Sequence, residues 1–317
     1  MRRADGILFA GLIDYAGLFP PAALSMADAV DEYRAARAGP HAWMLGRFIC
    51  PATRLEELAG RLMLTMQPGE EPWPISTILD GDPAVAAVSA WSFDAEMEPA
   101  AQIALIEVPL PAGAGDGRPV EDSIELLEGP ATAAFTASHV ATPFFEIRLV
   151  DGWETGVGNL ADALVHYQKT KRRSVGAKIR CGGRSAAAFP SAQQVVSFIT
   201  ACVARGLPFK ATAGLHHPVR HHDPELDVMR HGFLNLLTAA ALAIAGSPEA
   251  ELIEVVEETD AAAFAIGAAG LTWRDRSIRV GDLVRTRSEF ASYGSCSFAE
   301  PTDDLVELGL IDAPEGE

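Results

Sequence analysis

Charged side chains of both signs stand inside short apolar segments of this chain. Glu107 lies in LIEVP, Glu146 in FEIRL, Lys178 in GAKIR and Lys210 in PFKATAG. Burying one charge without a partner costs several kcal/mol, whereas a cluster of both signs offsets that cost. A lysine that is partly desolvated or lies beside other cations has a lowered pKa and becomes a nucleophile or a base. These residues are therefore the first candidates for catalysis.

The spacing of these residues indicates how they are arranged. Positions 146 and 178 are 32 residues apart, and positions 178 and 210 are again 32 residues apart. One strand–helix unit per step places Glu146, Lys178 and Lys210 on adjacent strands, about 5 Å apart. Because strand side chains alternate between faces, Arg148 shares a face with Glu146, and Arg180 shares one with Lys178.

Eight apolar segments, each followed by a helical pattern, are typical of parallel strands that alternate with helices. We predict strands at 6–14, 42–50, 73–80, 103–110, 143–150, 174–183, 207–214 and 292–298. This pattern predicts an α/β protein with a (β/α)8 TIM barrel fold. The alternative, a doubly wound open sheet, would normally have a glycine-rich turn after its first strand, and GxGxxG is absent there.

The chain is predicted to be a single domain over 1–317, with an insertion of approximately 247–291 before the last strand. Within that insertion the sequence predicts a helix, a hairpin at 271–280 and a further helix over 281–292. A long helix is predicted over 225–246, after the seventh strand.

Small residues end the later strands, at the end of the barrel where active sites of this fold lie. They free backbone N–H groups for an anionic group such as phosphate, although glycines also make tight turns. Arginine adds a bidentate contact. The predicted substrate-binding or phosphate-binding residues are Arg148, Arg180, Gly182, Gly183, Gly214, Gly294, Ser295 and, from the first strand, Asp14.

Five of the eight histidines lie in 216–231, directly after the seventh strand. His216, the nearest to Lys210 along the chain, is the predicted general acid or base. His231 and Asn235, four residues apart on the predicted helix, are expected to face the barrel mouth. A divalent metal held by Glu107, Glu146, His216 and another histidine is an open alternative, although HExxH is absent.

Composition limits the partners. The net charge of -18 argues against nonspecific binding to nucleic acid or to an anionic membrane. Hydrophobic residues make up 49% of the chain, enough for a large core. Four dispersed cysteines without CxxC fit a reducing cytoplasm. We expect a cytoplasmic protein with a small-molecule substrate, no required cofactor and no transmembrane helix; a homo-oligomer is an open possibility.

The segments GAKIRCGG (176–183) and PFKATAGLHH (208–217) resemble the lysine strands of class I deoxyribose-phosphate aldolase-type barrels. The resemblance covers about 40 residues. It implies that Lys178 forms a Schiff base and that Lys210 lowers its pKa. The family has a Thr/Ser-rich segment after the first lysine, where this chain has IRCGG. Its proton-relay Asp on the fourth strand would be replaced by Glu107 or Glu146.

Together, these features predict a lyase that acts on a small carbonyl substrate, phosphorylated or not, through Lys178 and Lys210, with Glu107, Glu146 and His216 moving protons. Two alternatives stay open. One is a metal-dependent isomerase or hydrolase on the same barrel, and the other is a noncatalytic barrel that binds an anionic ligand.

Overall fold

The computed structural model describes residues 4–313. Seven strands alternate with helices through the first two thirds of the chain. The strands are β1 (Ile13–Tyr15), β2 (Leu45–Pro51), β3 (Trp73–Ile78), β4 (Ala101–Val108), β5 (Thr142–Glu146), β6 (Gly176–Arg180) and β7 (Phe209–Thr212). The helices are α1 (Ala4–Leu8), α2 (Met26–Ala38), α3 (Leu55–Thr65), α4 (Pro83–Met97), α5 (Val120–Ala137), α6 (Trp153–Lys171) and α7 (Ala192–Arg205).

The last third is more elaborate. It contains β8 (His221–Asp223), β9 (Val228–Arg230), α8 (Phe233–Ile244), α9 (Glu249–Glu257), β10 (Phe264–Gly267), β11 (Gly270–Trp273), β12 (Arg276–Arg279), α10 (Val280–Glu289), β13 (Phe290–Ser295) and α11 (Ala299–Glu307). Short 3-10 helices cover Ala42–Met44, Ala52–Arg54, Ala186–Ala188 and Ala261–Ala263.

Eight parallel strands close into a barrel in the order β1-β13-β7-β6-β5-β4-β3-β2. Closure depends on β13, which pairs in parallel with both β1 and β7. The predicted (β/α)8 TIM barrel is therefore confirmed. The insertion before the last strand holds α9, the antiparallel sheet β10-β11-β12 and α10. The predicted hairpin at 271–280 is the pairing of β11 with β12.

Two element predictions are wrong. The apolar segment 6–14 is the short helix α1 and then a turn, and strand pairing begins only at Ile13. A continuous apolar run does not by itself distinguish a buried helix from a buried strand. The predicted helix over 225–246 begins only at Phe233, because 221–230 forms the β8–β9 hairpin. Asp223 stabilises the hairpin turn by accepting the N–H groups of Glu225 and Leu226.

One segment, Ala186–Arg205, is long and apolar enough to cross a membrane by length and composition alone. Most of it is α7, whose apolar side chains are buried within the fold, including Val195, Phe198 and Ile199. A core helix of a barrel has the same composition.

The outer layer fixes the orientation of β1. Tyr15 packs against Tyr33 of α2 and Phe48 of β2, with ring centroids 5.8 Å away in both cases. Since successive strand residues face opposite sides, Tyr15 in this outer layer turns Asp14 into the barrel interior. The aromatic packing of β1 thereby positions a charged side chain.

Candidate active site inside the barrel

Six charged side chains form a continuous chain of ion pairs in which cations and carboxylates alternate. In spatial order they are Arg47, Asp14, Lys210, Glu107, Lys178 and Glu146. They come from β2, β1, β7, β4, β6 and β5 respectively, so the chain of contacts crosses the barrel. Its formal charges cancel, which is how the fold tolerates so many ionised groups in its interior.

Glu107 lies at the centre of this ion-pair chain and contacts both lysines. Its Oε2 is 2.5 Å from Nζ of Lys178, and its Oε1 is 2.7 Å from Nζ of Lys210. The hydroxyl of Ser76 also donates to Oε1, at 3.0 Å. Burial alone would raise the pKa of Glu107, but the two ammonium groups outweigh burial and hold it well below its ordinary value. Glu107 is therefore a carboxylate in the resting protein.

Asp14 closes the other side of Lys210. Its Oδ2 accepts from Lys210 Nζ at 2.8 Å and from the Ser292 hydroxyl at 2.6 Å. Its Oδ1 accepts from the backbone N–H and the guanidinium of Arg47, at 2.9 and 3.2 Å. Burial opposes ionisation, but Lys210 and Arg47 lower the pKa of Asp14 overall. Asp14 was predicted to bind the substrate, but its side chain is fully buried between these partners.

Lys178 lies between two carboxylates. Besides Glu107, its Nζ contacts Oε2 of Glu146 at 3.0 Å. Desolvation acts to lower the pKa of Lys178, but Glu107 and Glu146 more than offset it, and the pKa is raised. The lowered pKa predicted from the sequence is therefore wrong for the resting protein. Glu107 contacts both ammonium groups, and the charges that raise the pKa of Lys178 are those of Glu107 and Glu146.

The predicted alignment of three strands is present. Glu146 is the register partner of Lys178, and Lys178 is the register partner of Lys210. Arg180 ends β6, and Arg148 lies two residues beyond the end of β5, so the predicted strand 143–150 was too long. Both arginines are exposed, and within residues 4–313 neither forms an ion pair with a carboxylate.

The predicted glycine cluster divides into two groups. Gly182 and Gly214 bring two loops together, since a Cβ added to Gly182 would lie 3.1 Å from Cα of Gly214. A Cβ on Gly183 would lie 2.6 Å from that of Ala188, so this glycine also serves close packing. Gly294 lies within β13, next to Asp14 in register, rather than in a loop. Ser295 is buried, and its hydroxyl oxygen accepts a hydrogen bond from the backbone N–H of Ser297.

His216 belongs to a second cluster. Its Nδ1 is 2.8 Å from Oε2 of Glu300 on α11, and its Nε2 is 3.6 Å from Sγ of Cys296. The backbone N–H of Ala22 also donates to that sulfur, and burial raises the pKa of the thiol. In the tautomer in which Nδ1–H donates a hydrogen bond to Glu300, Nε2 carries no proton and is the atom of His216 that is able to accept one.

The other histidines after β7 have separate partners. His217 contacts Asp304 at 2.6 Å and packs edge-on against His221. His231 precedes α8, is buried, and bonds to the carbonyl of Pro190 at 2.7 Å. Burial lowers the pKa of His231 to about 4, so it is neutral.

Asn235 is buried in α8, where it accepts the N–H of Arg220 and donates to the carbonyls of Val255 and Glu258. The expectation that His231 and Asn235 face the mouth is therefore wrong, since both fasten loops together.

The residues named for the metal alternative have other partners. Across residues 4–313, no group of three or more His, Cys, Asp or Glu side chains is positioned to hold a metal ion. Glu107 binds two lysines, and His216 is directed to Glu300. The ligands which that alternative needed are thus committed to other contacts.

Sequence reasoning missed three supporting residues. Ser76 and Ser292 donate to the buried carboxylates, and Glu300 orients His216. A serine inside a strand has no distinguishing pattern, and Glu300 lies 84 residues from its partner. The one indication in the sequence was that Ser76 and Ser292 are polar residues within apolar strands.

Comparison with known proteins supports the fold that the structure shows. No protein-family model matches the chain, and no curated protein matches it. Among solved structures, the chain is similar to QR15, an aldolase, with a TM-score of 0.50 and 9% sequence identity. The similarity covers 96% of this chain and 99% of that one. It supports the resemblance to aldolase-type barrels, and at this identity it shows the fold alone.

Proposed function

We propose that the protein is an aldolase-like lyase that binds a small carbonyl compound as a Schiff base on Lys178. The observation that carries the proposal is the position of Lys178 Nζ between two carboxylates, Glu107, whose side chain is 1% exposed, and Glu146, whose side chain is 11% exposed. That position supplies both a fixed counterion and a route for protons to solvent.

Exposure supports Lys178 over Lys210 as the nucleophile. The side chain of Lys210 is 0% exposed, whereas Lys178 is 3% exposed and its partner Glu146 is 11% exposed. Exposure therefore increases along the ion-pair chain from Lys210 to Glu146. A substrate that enters from this side meets Lys178 first, and Lys210 acts by fixing Asp14 and Glu107.

Attack requires the neutral amine, and Glu146 is the proposed acceptor of its proton. The amine nitrogen then forms a bond to the carbonyl carbon, and the proton shifts from nitrogen to oxygen to give a carbinolamine. Glu146 returns its proton to the hydroxyl, which leaves as water, and the C=N bond forms. The balance is one ammonium group and one carbonyl converted to one iminium ion and one water.

The electrostatics of the site favour this product. A cation is present at Lys178 Nζ before the reaction and after it, so the net charge of the ion-pair chain does not change. Glu107, held ionised by two lysines, stabilises the iminium ion without moving. A carboxylate beside the imine is also able to take a proton from the adjacent carbon, which gives the enamine required for carbon–carbon bond formation or cleavage.

Further groups define the substrate. Arg148 and Arg180 are exposed, lack carboxylate partners in the described chain and follow Glu146 and Lys178 along neighbouring strands. They are suited to a phosphate or carboxylate on the substrate. His216, oriented by Glu300, is the proposed second acid or base. This chemistry needs no cofactor and fits a cytoplasmic enzyme.

Borohydride trapping tests the proposal. The protein is incubated with small aldehydes and ketones, with and without an anionic group, then reduced and weighed by mass spectrometry. We expect a stable adduct in wild-type protein and in Lys210→Met, and none in Lys178→Met. Absence of an adduct across the panel would overturn the proposal. If anions still bind in that case, the noncatalytic alternative is favoured.

A further inference from the structure

The outer face of α4 is unusual for a protein of this charge. Every exposed residue from Pro83 to Ala95 is uncharged. Val85, Val88 and Trp91 are 65%, 60% and 55% exposed, and they follow one another at steps of three residues along the helix. Outer barrel helices normally present charged residues to water, so a contiguous apolar face indicates an interaction surface.

A groove adjoins this face. It has a volume of about 810 Å³ and lies between α4, α5 and α6, outside the barrel. Its apolar lining comes from Val88, Trp91, Ala131, Phe135 and Tyr167. A projecting apolar helix therefore stands beside an apolar hollow on the same surface, which is the shape required of a self-complementary contact.

Two charges at this groove lack partners. Glu128 of α5 and Lys171 of α6 both line it, and within residues 4–313 neither forms an ion pair. The end of α6 is level with the end of α5, because Arg173 donates to the carbonyls of Phe135 and Ser138. Glu128 lies about 10 Å nearer the start of α5 than Phe135 does. The two charges are therefore separated along the groove.

We propose that this groove, lined by α4, α5 and α6, is a two-fold interface between two copies of the chain. A two-fold axis that lies in the interface perpendicular to the helices reverses the helix direction and thereby places Glu128 of each copy toward Lys171 of the other. Trp91 and Val88 line the same groove and are covered by the second copy. A second copy with a net charge of -18 is repelled by most of this surface. It is accepted where exposed charge is absent and the remaining charges are complementary.

Sedimentation velocity and light scattering between 1 and 100 μM protein, roughly the range that separates weak from stable dimers, test this proposal. We expect a dimer for wild type, and a dissociation constant raised about 30-fold or more by Trp91→Glu or Val88→Lys. Leu64→Glu is the matched control, since Leu64 is an equally apolar and 84% exposed residue on α3. It is expected to leave the dimer unchanged.

A charge exchange tests the two-fold arrangement itself. Glu128→Lys and Lys171→Glu should each weaken the dimer, and the double variant should restore it. A wild-type protein that is monomeric at all concentrations would overturn the proposal, whether the groove then binds another protein or a small apolar ligand. A dimer insensitive to Trp91→Glu would also overturn it. Neither result depends on the imine chemistry.

Discussion

Lys178 and Glu107 form an ion pair of 2.5 Å across the barrel interior, reaching over β5, which separates their strands. Glu107 also forms an ion pair with Lys210, so it is shared by both buried lysines. Asp14 is the second counterion of Lys210, and Glu146 is the second counterion of Lys178. The pair links the stability of the barrel to the chemistry proposed for Lys178.

Removing the central carboxylate should destabilise the fold. Glu107→Gln leaves two buried ammonium groups without their shared counterion, and we expect a loss of about 3–5 kcal/mol in the free energy of unfolding. Denaturant unfolding measures this loss. Glu146→Gln is the control, because the side chain of Glu146 is more exposed than that of Glu107 and, within residues 4–313, forms an ion pair with one lysine, Lys178, rather than two. A smaller loss for Glu107→Gln than for Glu146→Gln would contradict the arrangement.

Acid should weaken the same contacts. The pKa of Glu107 is below its ordinary value of 4.5, so its stabilising contribution is complete above pH 4.5 and is lost as pH falls through the lower, folded value. The stability gap between wild type and Glu107→Gln should therefore narrow below pH 4.5. Glu125→Gln, which alters an exposed carboxyl of α5, should show no comparable narrowing. A gap independent of pH in acid would be inconsistent with an ionised Glu107.

The sequence predicts the charged interior well but its internal contacts poorly. Regular spacing brought Glu146, Lys178 and Lys210 onto adjacent strands, and the structure has them in register. The pKa direction of Lys178 was wrong because spacing along the chain does not show which charge is nearest. Glu107 comes from β4, outside that regular series, and it separates the lysines.

The predicted start of the helix after β7 and the predicted positions of two side chains were wrong for similar reasons. The hairpin at 221–230 depends on local hydrogen bonds of Asp223, which interrupt a sequence that otherwise reads as a helix. His231 and Asn235 were expected at the mouth, but each satisfies buried backbone groups of neighbouring loops. Such contacts depend on how the loops pack in the folded protein, so they cannot be predicted from the spacing of residues in the sequence.

Substrate charge should be recognised at the ends of β5 and β6. Arg148→Ala or Arg180→Ala should raise KM for a phosphorylated or carboxylated carbonyl compound roughly 10- to 100-fold, the loss of one charged hydrogen-bonded contact. KM for a neutral aldehyde should not change. Arg172→Ala is the matched control, since Arg172 is exposed and lies at the far end of α6. Equal effects on charged and neutral substrates would argue against this role.

His216 should depend on Glu300 for its orientation. We expect His216→Asn to lower kcat roughly 10²-fold or more, as for loss of a general acid or base. Glu300→Gln should lower kcat in the same direction but less, with little change in KM. Asp304→Asn alters the neighbouring pair with His217 on the same helix and should leave kcat unchanged. If Glu300→Gln and Asp304→Asn affect kcat alike, Glu300 does not orient His216 for turnover.

Peptide mapping of the borohydride-reduced adduct tests the central claim most directly. Wild-type protein trapped with a reactive carbonyl compound is digested, and the modified lysine is identified by tandem mass spectrometry. The proposed chemistry predicts one modified site, Lys178, with no modification of Lys210 and loss of the label in Lys178→Met. A label on Lys210, or one spread over exposed lysines such as Lys169 and Lys171, would contradict it.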